Sequence, residues 1–418
     1  MIRPEPNVRT VLVTDGEKVM SMGDQGAHGM CIPLYQVCRQ ICLAGIKPHN
    51  CLPVTLDVGT NNQSVLNDPH YIGLRQERVS GADYEELVDE FIEAIVCKYG
   101  QDTIIQFESM SVQNSIRLLS KYRNRYCVIN ADTQDSASMV LAGILASRKA
   151  TGKMLHENTF CFFGAGRSAL GTASLLVQAM VTEGVSEEEA KTKIWMMDSQ
   201  GLVTKSRPEL SEYKSLYAKD HSSMDSLEDL IYEIKPSVLI GCSNVGGAFT
   251  PSILRAMASF HERPLVFALS TPSECAECDV DNALLHTNGC CLFGSGAPDV
   301  TKNFDEGSDV QGSTGSTLMS HAYVSPGVTL GVLCTRMHHV ADDIFIIAAQ
   351  ALADMVTEED LEQGRIYPPL KNSRQVSLAI ATAISQYAYD KGRENKYIMA
   401  FATVIFFITT PTGGWWVN

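Results

Sequence analysis

The chain lacks an apolar run long enough to cross a bilayer. Its longest, over 397–408, stops at Thr409, Thr410 and Pro411, well short of the ~20 residues a spanning helix needs. A docked terminal segment is the expectation there, and the adjacent Trp415 and Trp416 beyond it suggest packing against a partner. Positive charge is also scarce. Thirty-three Lys and Arg against 48 Asp and Glu leave a formal charge of −15, the wrong sign for a surface that must neutralise phosphates, so nucleic acid is excluded as a partner and a small metabolite fits better. Cysteines at framework spacing are missing: the 13 present are odd in number and scattered through apolar segments, which points to a reduced compartment. The N-terminal MIRPEPNVRT has no apolar core followed by small residues, so no leader is evident; the cytoplasm is expected, with the mitochondrion left open. Repeats and a Ser/His/Asp elbow are absent too. What remains is 418 residues at 45% hydrophobic, too apolar for disorder and long enough for two or three compact units.

Short apolar runs alternate with longer helical patterns from residue 11 to about 295, the pattern of βαβ units around parallel sheets. Strands are predicted over 11–13, 54–58, 103–107 and 126–129, and, in a second part, over 159–163, 194–197, 238–240, 265–269 and 291–293. The helix over 83–100 has Leu87, Phe91, Ala94 and Ile95 on one face, acids early and a terminal glycine, all helix signals. Ser186 with Glu189 reads as a capping box, and Thr250 before Pro251 as an N-cap. Residues 299–321 turn polar and rich in Gly and Ser, a surface crossing, after which 328–356 and 374–389 read as helices.

The strongest chemical motif is FCFFGAGRSALG. It sets Gly164, Ala165, Gly166, Arg167, Ser168 and Ala169 directly after an apolar strand and before a helix. Glycines there permit a tight turn and close approach of a pyrophosphate, which the helix N-terminus stabilises. A plain strand-to-helix turn would read the same way, but Asp198 ends the next strand where a ribose hydroxyl would be accepted. Asp198 favours a free ribose, whereas Lys214, with Ser199 and Gln200, lies where a 2′-phosphate would reach, so NAD and NADP both stay open. In the first part, Glu108 ends one strand of a parallel sheet and Asp132 follows another, at the carboxyl ends where ligands bind and where two carboxylates could share Mg2+ or Mn2+. Exposed strand-end acids are the bland reading. Cys275, Cys278, Cys290 and Cys291 resemble zinc spacing, but neighbouring residues on a strand face opposite ways, which disfavours a common ion. His338 and His339 fall on a helical apolar stretch and read as core or surface histidines.

VTDGEK (13–18), LDVGTNN (56–62), YIGLRQ (71–76) and KYRNRYC (121–127), with GAGRSALG, DSQGLV, IGCSNVGGAF (240–249), FALSTP and GRIYPPL, closely resemble malic enzyme over roughly residues 10–390. The resemblance implies an α/β fold of two doubly wound parallel-sheet domains, with a Rossmann-type nucleotide domain (131–319) inserted in the other (1–130, completed by 320–390) and an apolar tail at 391–418. It further implies oxidative decarboxylation of L-malate to pyruvate and CO2 with NAD or NADP and Mg2+ or Mn2+. The partners implied are a dinucleotide, a small dicarboxylic acid, and further copies of this chain or an active paralogue.

Position by position, the family's catalytic lysine falls on Gln36 and its substrate-binding arginine on Lys18, which keeps charge but loses the bidentate fork. Of three metal-holding acids, Glu108 and Asp132 remain and the middle one is Ser109. The substrate asparagines fall on Thr271, which also borders the cofactor region, and on Ser320 and His321; the glycine after the metal-binding turn is Asp135. The chain is expected to begin after the segment that supplies the family's tyrosine acid. Strongly impaired malate turnover follows, or a pseudoenzyme that holds nucleotide, with Lys18 or Tyr35 as candidate stand-ins for the lost base.

Overall fold

The computed structural model describes residues 5–19, 22–297, 317–320 and 322–392. The apolar run at 397–408, the tryptophan pair, His321 and most of the polar stretch at 299–321 lie outside the described residues. Along the chain come β1 (Thr10–Thr14), α1 (Cys31–Ala44), β2 (Cys51–Thr55), α2 (Ala82–Tyr99), β3 (Ile104–Glu108), α3 (Val112–Tyr122), β4 (Val128–Asn130) and α4 (Ala131–Thr151). Then follow β5 (Phe160–Phe163), α5 (Arg167–Thr182), β6 (Ile194–Asp198), β7 (Gly201–Leu202), β8 (Val238–Gly241), α6 (Pro251–Phe260), β9 (Leu265–Ala268), β10 (Leu292–Ser295) and β11 (Thr317–Leu318). The chain continues with α7 (Ser325–Thr335), α8 (Asp343–Asp354) and α9 (Ser373–Asp390). Both sheets are doubly wound α/β architecture, and the chain divides into two compact units: Met1–Asp135 with Ala322–Ala351 and Leu370–Asn418, and Ser136–His321 with Leu352–Pro369.

The first unit carries a parallel sheet in the order β2-β1-β3-β4. All five residues of β1 and of β3 are buried, as expected of strands covered on both faces. Val11, Val13, Ile105, Phe107 and Val128 form its core with Tyr84, Val88, Ile92 and Ile95 of α2 and Leu118 of α3. The buried stripe of α2 is therefore 84/88/92/95, one step round from the expected face, and Leu87 is exposed. α7 packs on α9 through Gly327 and Gly331, where a Cβ would lie 2.8 Å from Ile380 Cβ and 2.9 Å from Ile384 Cβ. The expected single helix over 328–356 is two: Arg336 turns left-handed at φ 50° and ends α7. His338 and His339 sit in that connection, exposed, rather than on a helix.

The second unit has the order β11-β10-β9-β8-β5-β6-β7, parallel except for β7. From β5 the chain moves outward to β6; from β8 it moves the other way through β9 and β10. The junction of β5 and β8 is thus the topological switch point, the place where open α/β sheets bind ligands. Leu239, Val266 and Phe293 pack against Leu254 and Met257 of α6, whose first turn is capped by Thr250 with Pro251 at the first position. Ser186 caps the short helix Glu187–Thr192. All 13 cysteines are free thiols; four of them, at 31, 38, 42 and 97, are exposed rather than buried as expected.

Candidate active site

In the second unit β5 ends at Phe163, and Gly164 and Gly166 carry the chain into α5. Gly164 has φ 113° and lies so close to the next strand end that a Cβ would meet the Cys242 carbonyl oxygen at 2.5 Å. Only glycine fits there. A Cβ on Gly166 would point into open space, leaving the backbone N–H groups that begin the 16-residue helix α5 accessible to an anion. Ala165 and Ala169 are buried and pack the turn onto the sheet, while Arg167 and Ser168 are partly exposed beside it. These residues fit a dinucleotide's pyrophosphate.

Asp198 closes β6, and both its oxygens are engaged: Arg207 Nη1 donates to Oδ1 at 2.8 Å and Lys214 Nζ to Oδ2 at 2.6 Å. Burial raises its carboxyl, but the two cations outweigh that and hold it below its ordinary value. Ser199 and Gln200 are exposed next to it, and the Gln200 N–H donates to Asp198 Oδ1 at 3.0 Å. One carboxylate between two cations leaves one net positive charge at the end of β6. Arg207 had no sequence signal, because nothing in its neighbourhood marks it as facing Asp198.

The first unit gathers the other predicted residues at the carboxyl ends of β3 and β4. Glu108, the last residue of β3, is 1% exposed. Gln106 Nε2 donates to its Oε1, and Gln36 Nε2, from α1, donates to its Oε2 at 3.3 Å. Burial pushes the Glu108 carboxyl well above its ordinary value, and the nearby Asp132 charge adds to this. Asp132, in the first turn of α4, accepts the Ser109 N–H at 2.7 Å. Ser109 itself is left-handed at φ 54°, and its carbonyl accepts the Lys18 N–H at 2.9 Å, while the Lys18 side chain is exposed. Gln36 also accepts: Arg39 Nη1 donates to its Oε1 at 2.6 Å.

Around these lie Arg39, Gln40 and Asp135, all buried. Gln40 Nε2 donates to Gln106 Oε1 at 3.0 Å. Asp135 is fully buried, and burial pushes its carboxyl up to about 7, against the pull of the Arg39 charge and the Ser325 hydroxyl. Arg39 and Gln40 went unnoticed in the sequence, although both recur three and four positions after Gln36 on an otherwise apolar helix, the spacing that shares one face. Tyr35 is 57% exposed, beneath the Arg39 guanidinium at 5.6 Å and outside this cluster. Two carboxylates, one of them already holding two amide donors, with a serine between, are an incomplete divalent site. No cluster of three or more His, Cys, Asp or Glu side chains suited to a metal occurs among the described residues, Cys275, Cys278, Cys290 and Cys291 included.

Thr271 is exposed on the loop after β9, in the second unit, and Ser320 is partly exposed. No helix of the described residues is long and apolar enough to cross a membrane. Residues 133–389 match the family model described as "Malic enzyme, NAD binding domain", and residues 2–123 that of "Malic enzyme, N-terminal domain". The chain is 45% identical over 394 residues to an NADP-dependent malic enzyme of Anas platyrhynchos, covering 94% of this chain and 70% of that one. It is 45% identical to a mitochondrial NADP-dependent malic enzyme of Homo sapiens (94% and 65% covered) and 44% identical to a mitochondrial NAD-dependent malic enzyme of Ascaris suum (94% and 60%). The chain thus spans between 60% and 70% of the length of these relatives. Its fold matches the crystal structures of malic enzymes from Entamoeba histolytica (TM-score 0.72, 21% identity, 97% and 74% covered) and Pyrococcus horikoshii (0.71, 19%, 97% and 82%). By both family models and the identity to these relatives, the chain belongs to the malic enzyme family.

Proposed function

We propose that the chain binds a nicotinamide dinucleotide and a small dicarboxylic acid, and that oxidative decarboxylation of L-malate to pyruvate and CO2 is strongly impaired in it. Gln36 carries this reading. A primary amide has no basic lone pair at neutral pH, and this one already donates to Glu108 and accepts from Arg39. It cannot take the hydroxyl proton of malate. The nicotinamide, when bound, supplies the hydride acceptor; the missing partner is the group that removes the proton, worth about 10²–10⁴ in rate. Mg2+ or Mn2+ would be held weakly, by Glu108 and Asp132, because Ser109 replaces an anionic ligand with a neutral one.

Division of labour follows the chain: 1–130 with 320–390, joined by Asp132 at the start of α4, for substrate and metal, and the rest of 131–319 for nucleotide. A glycine turn kept whole beside a lost base also supports a role without turnover, in which the chain pairs with further copies or with an active relative. The cytoplasm is the proposed compartment, with the mitochondrion as the other option given the mitochondrial relatives.

The test is purified protein with malate, Mn2+ and each nucleotide. Turnover is expected at least ~100-fold below the ~10 s⁻¹ of ordinary enzymes, and a wild-type rate within about tenfold of that value sinks the reading. Gln36→Lys combined with Ser109→Asp is expected to raise kcat by roughly 10²-fold or more.

A further inference from the structure

The two halves of a dinucleotide lie on either side of the switch point of a doubly wound sheet. The glycine turn after β5 and Asp198 after β6 take one half. The strand ends left for the other are the loops that follow β8 and β9, which begin at Cys242 and Leu269. One buried side chain ties these two loops together. Glu277 is 0% exposed, and its Oε1 accepts the Ser243 N–H at 2.8 Å, the Ser243 hydroxyl at 2.9 Å and the Ser270 hydroxyl at 2.6 Å. Its Oε2 faces the Ser270 N–H at 3.4 Å.

Each serine passes the order on. Ser270 Oγ accepts the Asn244 N–H at 2.9 Å, and Ser243 Oγ accepts the Val245 N–H at 3.1 Å. Farther along, the Phe249 N–H donates to the Glu277 carbonyl at 2.9 Å and the Gly247 N–H to that of Ala276 at 3.0 Å. Two glycines make room for this clasp: a Cβ on Gly241 would lie 2.5 Å from Glu277 Cδ, and one on Gly246 would lie 2.1 Å from the Glu274 carbonyl oxygen. A carboxyl group placed under a sheet end at the expense of a Cβ at Gly241 is more than a strand needs for packing.

We propose that Glu277 is a positioning residue for the nicotinamide half of the dinucleotide: through Ser243 and Ser270 it fixes the loops after β8 and β9, including the stretch that holds Asn244 and Thr271. The inference rests on the dinucleotide-binding reading above. It separates the two ends of the ligand. Loss of Glu277 leaves the N–H and hydroxyl of Ser243 and of Ser270 short of an acceptor and frees both loops, while the glycine turn and Asp198 keep their partners.

The probes are NADH and NADPH, followed by fluorescence and calorimetry, and ADP and adenosine 2′,5′-bisphosphate, which carry only the adenosine end. In Glu277→Leu the dissociation constant of the dinucleotide is expected to rise ~10-fold or more, the scale of a lost buried acceptor, while the adenosine fragments bind as in wild type. Glu277→Gln keeps an acceptor at the Oε1 position and is expected to restore most of the affinity. Should Glu277→Leu fail to fold, Ser243→Ala with Ser270→Ala removes two of its donors and is expected to shift dinucleotide affinity in the same direction. Unchanged dinucleotide affinity in the folded variants, or an equal loss for dinucleotide and fragments, overturns the proposal. A wild-type chain that binds none of the four probes overturns the dinucleotide reading itself, and that result appears before any substitution is made.

Discussion

Asp135 couples the candidate site to pH. Its carboxyl is pushed up to about 7 by burial, whereas in the unfolded chain it titrates near the ordinary value of ~3.9. The folded state therefore holds this proton over a range where the unfolded state has released it. Its contribution to stability is fully present below ~3.9 and is lost as pH rises toward 7, at up to about 1.4 kcal/mol per pH unit. Asp135→Asn keeps the shape without the charge. Denaturant titrations between pH 4 and 8 are expected to show a flatter profile for Asp135→Asn and higher stability than wild type at pH 8; parallel profiles contradict this assignment. At the same scale, Glu108 and Asp132 were legible because a carboxylate at or just past the carboxyl end of an apolar parallel strand has few other places to go. Arg39 was not, since a lone cation in an apolar helix looks like any snorkelling surface residue until its neighbours are known.

Among the elements, the seam between α7 and α9 brings two helices into close approach. Gly331 lies under Ile384, with the Ala381 Cα 3.2 Å from where a Cβ would stand, so neither neighbour is a flexible side-chain end. Gly331→Val is expected to cost about 1–3 kcal/mol by overpacking, read as a lower midpoint in thermal melts; a midpoint at or above wild type contradicts the packing described. The nine expected strands were legible because buried parallel strands leave unbroken apolar runs, and nearly all fall within a residue or two of expectation; the two-residue β7 and β11 leave no such run. β2 starts three residues early because Pro53 sits at mid-strand, an arrangement that β-propensity argues against. The face of α2 was misread for a different reason. Leu87/Phe91/Ala94/Ile95 and Tyr84/Val88/Ile92/Ile95 both satisfy helical spacing, and only the sheet beneath selects one. The break after Thr335 carries no Gly or Pro, since Arg336 itself takes the left-handed turn, so periodicity alone ran the two helices together.

For the whole molecule, a ligand that binds only the folded state stabilises it by mass action, about 2.7 kcal/mol at a hundredfold excess over its dissociation constant. With the proposed dinucleotide site at the ends of β5, β6, β8 and β9, NADH or NADPH is expected to raise the melting transition of the unit that contains them, progressively with concentration, in wild type. The rise is expected to persist in Gln36→Lys, whose substitution lies in the other unit. A melt insensitive to both nucleotides at millimolar concentration contradicts the proposed site. The division into two units, each with its own parallel sheet, was legible from length and from the two successive sets of strand patterns. Which return segments join which unit was harder to read, because 352–369 joins the second through tertiary contacts that leave no local periodicity.

Ser109 holds a further consequence. Its main chain is left-handed, a region that aspartate and asparagine visit several-fold more readily than most other non-glycine residues. The bend thus suits an aspartate or asparagine, and an acidic residue placed there would inherit a ready-made pose, with its N–H already anchored on Asp132. A single Ser109→Asp substitution would therefore add a carboxylate to the Glu108–Asp132 end of the sheet without reshaping the main chain.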